Sequence, residues 1–366
     1  MKLDNIHWKR NKLLSFKKVF NYAISPREPG KSTQLWDLAL NLWKKGSCMV
    51  VLRRMTSDIT NAYLDSIEAI YTKFEAGVEI TYDKHDMAKG IVDVLAKGPK
   101  DEKPRILARI LALSAPMQRL KSLVLLNLKY MCFDEFICDT LNGEKYLCNE
   151  VFKFKEIYNT YQRECKQLRV IFFGNPYSLF NPYFMWKKIP IKQVKPGALL
   201  TGEDWALEVI QLTEELKRYI LKHNPLYKFD DAYTKYAFNG EAINDANIRI
   251  VDKQPNEYSL KFIFKYSDSL IGAFVWSPSN ESIANITQHY QDNEAIDYWV
   301  CTLPQSYHSE RRAIMAFNIS DMVEGTYLIG AQERKLFEGL ATAFRFRRIG
   351  FQNVGDSYAI QSIINL

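Results

Sequence analysis

Several protein classes are excluded by what this sequence lacks. Its six cysteines, Cys48, Cys132, Cys138, Cys148, Cys165 and Cys301, include no Cys-x-x-Cys pair and no histidine partner at zinc-ligand spacing. That argues against a structural zinc and against a secreted disulfide framework. Several of the thiols lie in apolar stretches, where cysteine behaves as a small hydrophobe, so reduced thiols in a cytosol are expected. No stretch approaches the roughly 18 apolar residues of a membrane helix. The opening residues, MKLDNIHWKRNKLLSF, carry no apolar signal-peptide core. A soluble protein without a membrane partner, retained in the cell that makes it, is the expectation. Internal repeats and low-complexity segments are also lacking.

What is there fits a soluble protein of two domains with a real core: 366 residues, 47% hydrophobic and 25% charged. The 21 phenylalanines and 21 tyrosines read as core aromatics or as stacking surfaces for bases. Net charge is +7 but unevenly spread. Residues 1–200 hold 33 Lys and Arg against 20 Asp and Glu, and residues 201–366 hold 16 against 22. A cationic first half invites a polyanion such as nucleotide or nucleic acid.

Apolar runs at 19–24, 47–54, 105–114, 128–133 and 168–174 alternate with amphipathic stretches at 31–45, 59–74, 116–126 and 149–166. That alternation predicts an α/β domain, with a hairpin excursion and a loop at 81–104. A connector follows at 188–200, then one helix over 203–222, closed by His223-Asn224-Pro225. Beyond residue 237 the chain reads as β-rich, with strands at 248–251, 258–266, 270–276, 296–303 and 313–317. A last helix at 331–346 runs into Arg345, Arg347 and Arg348, a docking patch or a solvated helix end.

The sharpest signal is Ser25-Pro26-Arg27-Glu28-Pro29-Gly30-Lys31-Ser32. It ends as a Walker A loop ends, with Ser25 where the first glycine usually stands. Such a loop, Ser25 to Thr33, wraps backbone N–H groups around phosphates. Lys31 is expected to neutralise the β- and γ-phosphates of ATP, and Ser32 to ligate Mg2+. The helix that follows aims its positive end at the same anion.

A second signal is the apolar run 128–133 closing on Asp134 and Glu135, the form of a Walker B strand. Asp134 is expected to hold Mg2+ through water, and Glu135 to orient and deprotonate the attacking water. Successive strand residues point opposite ways, which divides the two roles. The run 168–174 delivers Asn175 to a strand tip, where it reads as a γ-phosphate sensor or as a plain turn residue.

On the helix expected at 149–166, Val151, Phe154, Tyr158, Tyr161 and Cys165 form an apolar face. Arg163 lies about 200° from Tyr161 at about 100° per residue. It reads as an arginine finger for a neighbouring subunit or as half of a surface salt bridge. Lys121 poses the same choice.

Together these residues resemble the phi-29-type phage DNA-packaging ATPases, relatives of the large terminase subunits. The resemblance is strongest over residues 12–184. It rests on Lys12-Leu13-Leu14-Ser15-Phe16, on Arg27 inside the loop, and on Cys132-Phe133-Asp134-Glu135-Phe136. Asn149-Glu150-Val151, Lys121-Ser122, Arg163 at the finger position and Asn181-Pro182-Tyr183-Phe184 extend it. Ser25, and the residues between Glu28 and Gly30, depart from the family pattern.

The resemblance implies a P-loop NTPase domain of the additional-strand, catalytic-glutamate type over 1–190. A small helical linker or lid would follow at 191–236, then an RNase H-like domain over 237–366 lacking its nuclease residues. The run 260–266 indeed carries no carboxylate, and Asp252, Asp268 and Asp297 form no convincing cluster. A homomeric ring of five is implied, docked on a capsid portal or connector, with a structural RNA as a further partner. It would translocate double-stranded DNA into a procapsid from the host cytoplasm. Lys84, Lys89 and Lys97 are the candidate DNA contacts, through phosphates. Rival readings are another P-loop translocase, such as a helicase or a terminase with an active nuclease, and a scaffold that binds nucleotide without hydrolysing it.

Overall fold

The computed structural model describes residues 7–122, 125–139, 144–147, 149–179, 181–224, 249–266, 269–276, 295–304, 338–344 and 346–352, with single positions elsewhere. The chain divides into two compact units: Met1–Leu179 with Pro190–Ile243, and Phe180–Ile189 with Asn244–Leu366.

The first unit opens with a short helix, α1 (Asn11–Leu14), and continues through β1 (Phe20–Ile24), α2 (Lys31–Lys44), β2 (Cys48–Arg53) and α3 (Asn61–Lys73). Next come β3 (Glu79–Asp83), β4 (Ile91–Lys97), β5 (Arg105–Ala112), α4 (Met117–Ser122), β6 (Leu128–Asp134), α5 (Glu150–Glu164) and β7 (Arg169–Gly174). The short α6 (Pro182–Trp186) falls to the second unit, after which the first adds β8 (Leu199–Thr201), β9 (Trp205–Val209) and α7 (Glu214–His223).

Its strands form one sheet in the order β3-β4-β5-β2-β6-β7-β1-β9-β8. From β5 to β9 every pairing is parallel. Interior parallel strands are covered on both faces and so read as continuous apolar runs. β1 is buried along its whole length, as is β9. The hairpin β3–β4 closes one edge antiparallel and β8 the other. β7 lies between β1 and β6, the additional strand that the fold class requires. The carboxyl ends of β1, β6 and β7 therefore stand side by side, which is where ligands bind in parallel sheets.

One expected element is different. Residues 203–222 are not a single helix: Trp205–Val209 is a buried strand paired with β1, and α7 starts only at Glu214. A short apolar run suits a strand or a buried helix equally by pattern, and here the exposed edge of β1 decides. Thr213 then starts α7 by accepting from the Leu216 N–H. So part of the segment expected as a linker completes the first sheet.

In the second unit, β10 (Arg249–Ile250), β11 (Tyr258–Tyr266), β12 (Ser269–Trp276), β13 (Tyr298–Leu303) and β14 (Ile349–Phe351) form a mixed sheet in the order β10-β14-β13-β12-β11. Asp297 beside β13 accepts from Arg348 at 2.7 Å. The strand expected at 313–317, the start of the helix expected at 331–346, Arg345 and Asp268 lie outside the described residues. Among the described residues, no helix is long and apolar enough to cross a membrane.

Candidate active site

β1 ends at Ile24 and α2 begins at Lys31, so the six residues between them make the loop. Ser25 is buried, its N–H bonded to Gly174 O on β7 at 3.1 Å. Gly30 has φ 91°, left-handed backbone that glycine adopts without a Cβ clash. The Lys31 ammonium is folded back onto its own loop. It donates to Ser25 O at 3.2 Å, to the Ser25 hydroxyl, to Pro26 O at 3.3 Å and to Asn175 Oδ1 at 2.7 Å. Burial lowers the Lys31 pKa to about 7, with Asp134 and Glu135 opposing the shift and Arg27 adding to it. The first turn of α2 holds no acid, leaving its N–H groups and Ser32 and Thr33 turned to an anion.

The acidic pair sits at the tip of β6. The parallel register pairs Leu52 with Phe133, which sets Arg53 at the end of β2 beside Asp134. Arg53 grips both carboxylates, Asp134 Oδ2 at 2.8 Å and Glu135 Oε2 at 2.6 Å. Burial raises the Asp134 pKa; Arg53 opposes that shift and Glu135 reinforces it. The Arg53 guanidinium lies 4.9 Å over the Tyr63 ring. Glu135 itself has φ 59°, a left-handed backbone uncommon for a residue with a side chain. Arg54 fixes that turn from beneath. It donates to Glu135 O at 3.0 Å and Phe136 O at 2.6 Å while pairing with Glu150 of α5 at 3.0 Å.

Loop, acids and Asn175 enclose a cavity of about 560 Å³, within the roughly 300–1,000 Å³ that takes a small ligand. A basic phosphate loop facing a carboxylate pair across such a space is the geometry of a nucleoside triphosphatase. Residues 3–353 match the profile of the podovirus DNA encapsidation protein (Gp16). The chain belongs to that family. Among curated proteins no sequence match was found. Two solved structures are similar along nearly their full length. One is the phi-28 gp11 DNA packaging motor, at TM-score 0.58 and 16% identity, covering 99% of this chain and 98% of that one. The other is the bacteriophage phi-29 viral genome packaging motor assembly, at TM-score 0.55 and 18% identity, covering 98% of this chain and 100% of that one. At these identities the likeness is one of fold.

The folded chain brings together most of the residues singled out in its sequence. Arg27, Glu28, Pro29, Gly30, Lys31, Ser32, Thr33, Asp134, Glu135 and Asn175 all line the cavity. Ser25 and Pro26 sit behind them, as acceptors for Lys31. Lys121 and Arg163 do not line it. Lys121 is ion-paired with Glu156 of α5. Arg163 is exposed on α5 and makes no hydrogen bond or ion pair among the described residues. In the hairpin excursion, Lys84 donates to Asn61 at 2.8 Å and Lys89 to Asp86 at 3.1 Å, so both ammonium groups are already engaged; Lys97 lies on β4. Asn181 caps α6 by accepting from the Phe184 N–H at 3.0 Å, which gives the Asn-Pro-Tyr-Phe run a structural role.

Sequence reasoning missed Arg53 and Arg54. Their signal was present: an apolar strand ending in two arginines, at the edge where parallel sheets bind ligands.

Proposed function

We propose that this cavity binds and hydrolyses magnesium-bound ATP and that a homomeric ring of the chain spends the energy driving double-stranded phage DNA into a procapsid. The observation that carries this is the convergence of Lys31, Asp134 and Glu135 on one cavity. The donor set suits the metal: the Ser32 hydroxyl and the Asp134 carboxylate are hard oxygen ligands of the kind Mg2+ takes alongside phosphates. When bound, the metal supplies charge neutralisation on the β- and γ-phosphates.

The chain's own residues do the rest. Lys31 exchanges Ser25 and Asn175 for phosphate oxygens, recovering its full positive charge as it does so. Glu135 leaves Arg53 and accepts a proton from the attacking water. The water oxygen bonds the γ-phosphorus as the bond to the β–γ bridging oxygen breaks, releasing ADP and phosphate. Arg163, extending from α5 without a side-chain partner among the described residues, reaches the phosphates of a neighbouring subunit, and Lys121 joins it by exchanging Glu156. The likeness to two genome-packaging motors, one of them solved as an assembly, supports an oligomer, and the sequence resemblance suggests a ring of five. Contact with DNA runs through phosphates, with Lys84, Lys89 and Lys97 as candidates, so it weakens steeply with salt. The site of action is the host cytoplasm, on the portal of the procapsid, with a structural RNA as a further component and the 237–366 domain without nuclease activity.

The test is steady-state phosphate release with and without double-stranded DNA across a salt series. Release stimulated by DNA at low salt, and abolished in Lys31→Ala and Glu135→Gln, is the expected result. Phosphate release that survives both substitutions would sink the assignment, and Mg2+-dependent nicking of a supercoiled plasmid would favour a nuclease-active terminase instead.

A further inference from the structure

Arg27, Lys31 and Lys73 give the cavity lining its basic groups, suited to a triphosphate. The rest of the nucleotide needs a different surface. Four flat side chains line the space: His7, Phe74, Phe173 and Tyr219. Phe173 is fully buried on β7, edge-on to Trp8. Phe74 carries the Lys73 ammonium over its ring at 5.5 Å. His7 packs on Gly30, where an added Cβ would meet it at 3.4 Å. Tyr219 differs from all three, because 50% of its surface remains exposed.

The fold holds Tyr219 in that position from two sides. Along α7, Leu216 and Ile220 are buried with Leu212 and Phe238, and Tyr177 packs against them. The Tyr177 hydroxyl accepts from Arg27 at 3.3 Å, which ties the buried face of α7 to the tip of the phosphate loop. One turn further on, His223 lies against the Tyr219 ring, centroids 4.4 Å apart at 37°, and its Nδ1 is 2.7 Å from Tyr219 O. One ring face is thus braced by His223, while the half-exposed side chain borders the cavity.

We infer that Tyr219 is the stacking platform for the nucleotide base, so that α7 supplies the base subsite of the cavity whose basic wall takes the triphosphate. This rests on the nucleotide reading above and adds the residue that recognises the base. Stacking on an aromatic face accepts any base, since each has a π-surface. The ligand class is therefore a nucleoside triphosphate, bound with little discrimination among bases.

The test compares wild type, Tyr219→Ala and Tyr219→Phe for binding of ADP and of inorganic tripolyphosphate, and for KM against kcat with ATP. Tyr219→Ala is expected to weaken ADP binding and raise KM for ATP roughly 5- to 100-fold. Tripolyphosphate binding should stay within about twofold, and Tyr219→Phe should restore ADP. Tyr219→Trp supplies a second readout, emission quenched by ADP and not by tripolyphosphate. Equal losses for ADP and tripolyphosphate in Tyr219→Ala would overturn the inference, because a collapsed cavity or a lost subunit contact does not distinguish them; no loss for either would overturn it as well. If wild type binds neither ligand, the phosphate site itself fails. If it binds both and only Lys31→Ala loses both, the phosphate site stands whatever becomes of Tyr219.

Discussion

Arg53 holds two carboxylates at once, and the proposed mechanism asks each of them for another role. With side-chain exposures of 11% for Arg53 and 14% for Asp134, the pair is close to fully desolvated. Removing one partner of a buried pair leaves an uncompensated charge, a loss of roughly 3–5 kcal/mol. Arg53→Met is therefore expected to lower the melting temperature of the nucleotide-free protein by about 6–12 °C, taking the low end of that range and about 2–4 °C per kcal/mol. Saturating magnesium-ATP should restore much of the loss, because the ligand set then compensates Asp134 in place of the guanidinium. Thermal melts with and without nucleotide decide it, and an equal loss in both states would refute the role. Lys31, Asp134 and Glu135 were legible in the sequence because their chemistry travels with short motifs. Arg53 was not, because it meets Asp134 only through the pairing of β2 with β6, and strand register is not written in either strand alone. Ser25 was legible only as an anomaly; its function as an acceptor for Lys31 appears once the loop is folded.

At the scale of elements, alternation of apolar and amphipathic stretches was enough to place β1, α2, β2, α3, β5, β6, α5 and β7 to within a few residues. It failed at β9, where tertiary pairing with β1 overrode a pattern that also suits a helix. That strand has a flaw with a measurable consequence. Glu208, in β9 opposite Ala23, is only 8% exposed, and its Oε2 has no hydrogen-bond partner among the described residues. Burial raises its pKa above 4.5, with Trp8 and Lys12 pulling the other way. An acid more easily protonated in the folded state contributes its full stability below its unfolded pKa. That stability is lost as pH rises through the folded value. Glu208→Gln is thus expected to raise the melting temperature at pH 7.5 and to give no gain at pH 4. Melts of both proteins at the two pH values test this; a gain of equal size at both would point to packing instead.

For the whole molecule, charge was informative before any coordinate. The basic first 200 residues contain the phosphate loop, the two arginines of β2 and the hairpin lysines. What a single chain did not disclose was how the subunits of the proposed ring would share labour, since Arg163 and Lys121 stand away from the cavity of their own chain. Mixing Arg163→Ala subunits with Lys31→Ala subunits addresses this. Each alone should be inactive, and the mixture should recover part of the ATPase rate, because intact sites form where a working loop meets a working arginine. Mixtures as inactive as their components would count against completion in trans.

Helix α5 joins these two ends of the problem. Near its start, Glu150 clasps Arg54, which is bolted to the carbonyls of Glu135 and Phe136; near its end stands Arg163. Fifteen residues make a strut of about 22 Å. A displacement at the tip of such a strut is carried through Arg54 to the turn that holds Glu135. In the proposed ring, a push on Arg163 from a neighbour would thereby be felt at Glu135, with no separate messenger required.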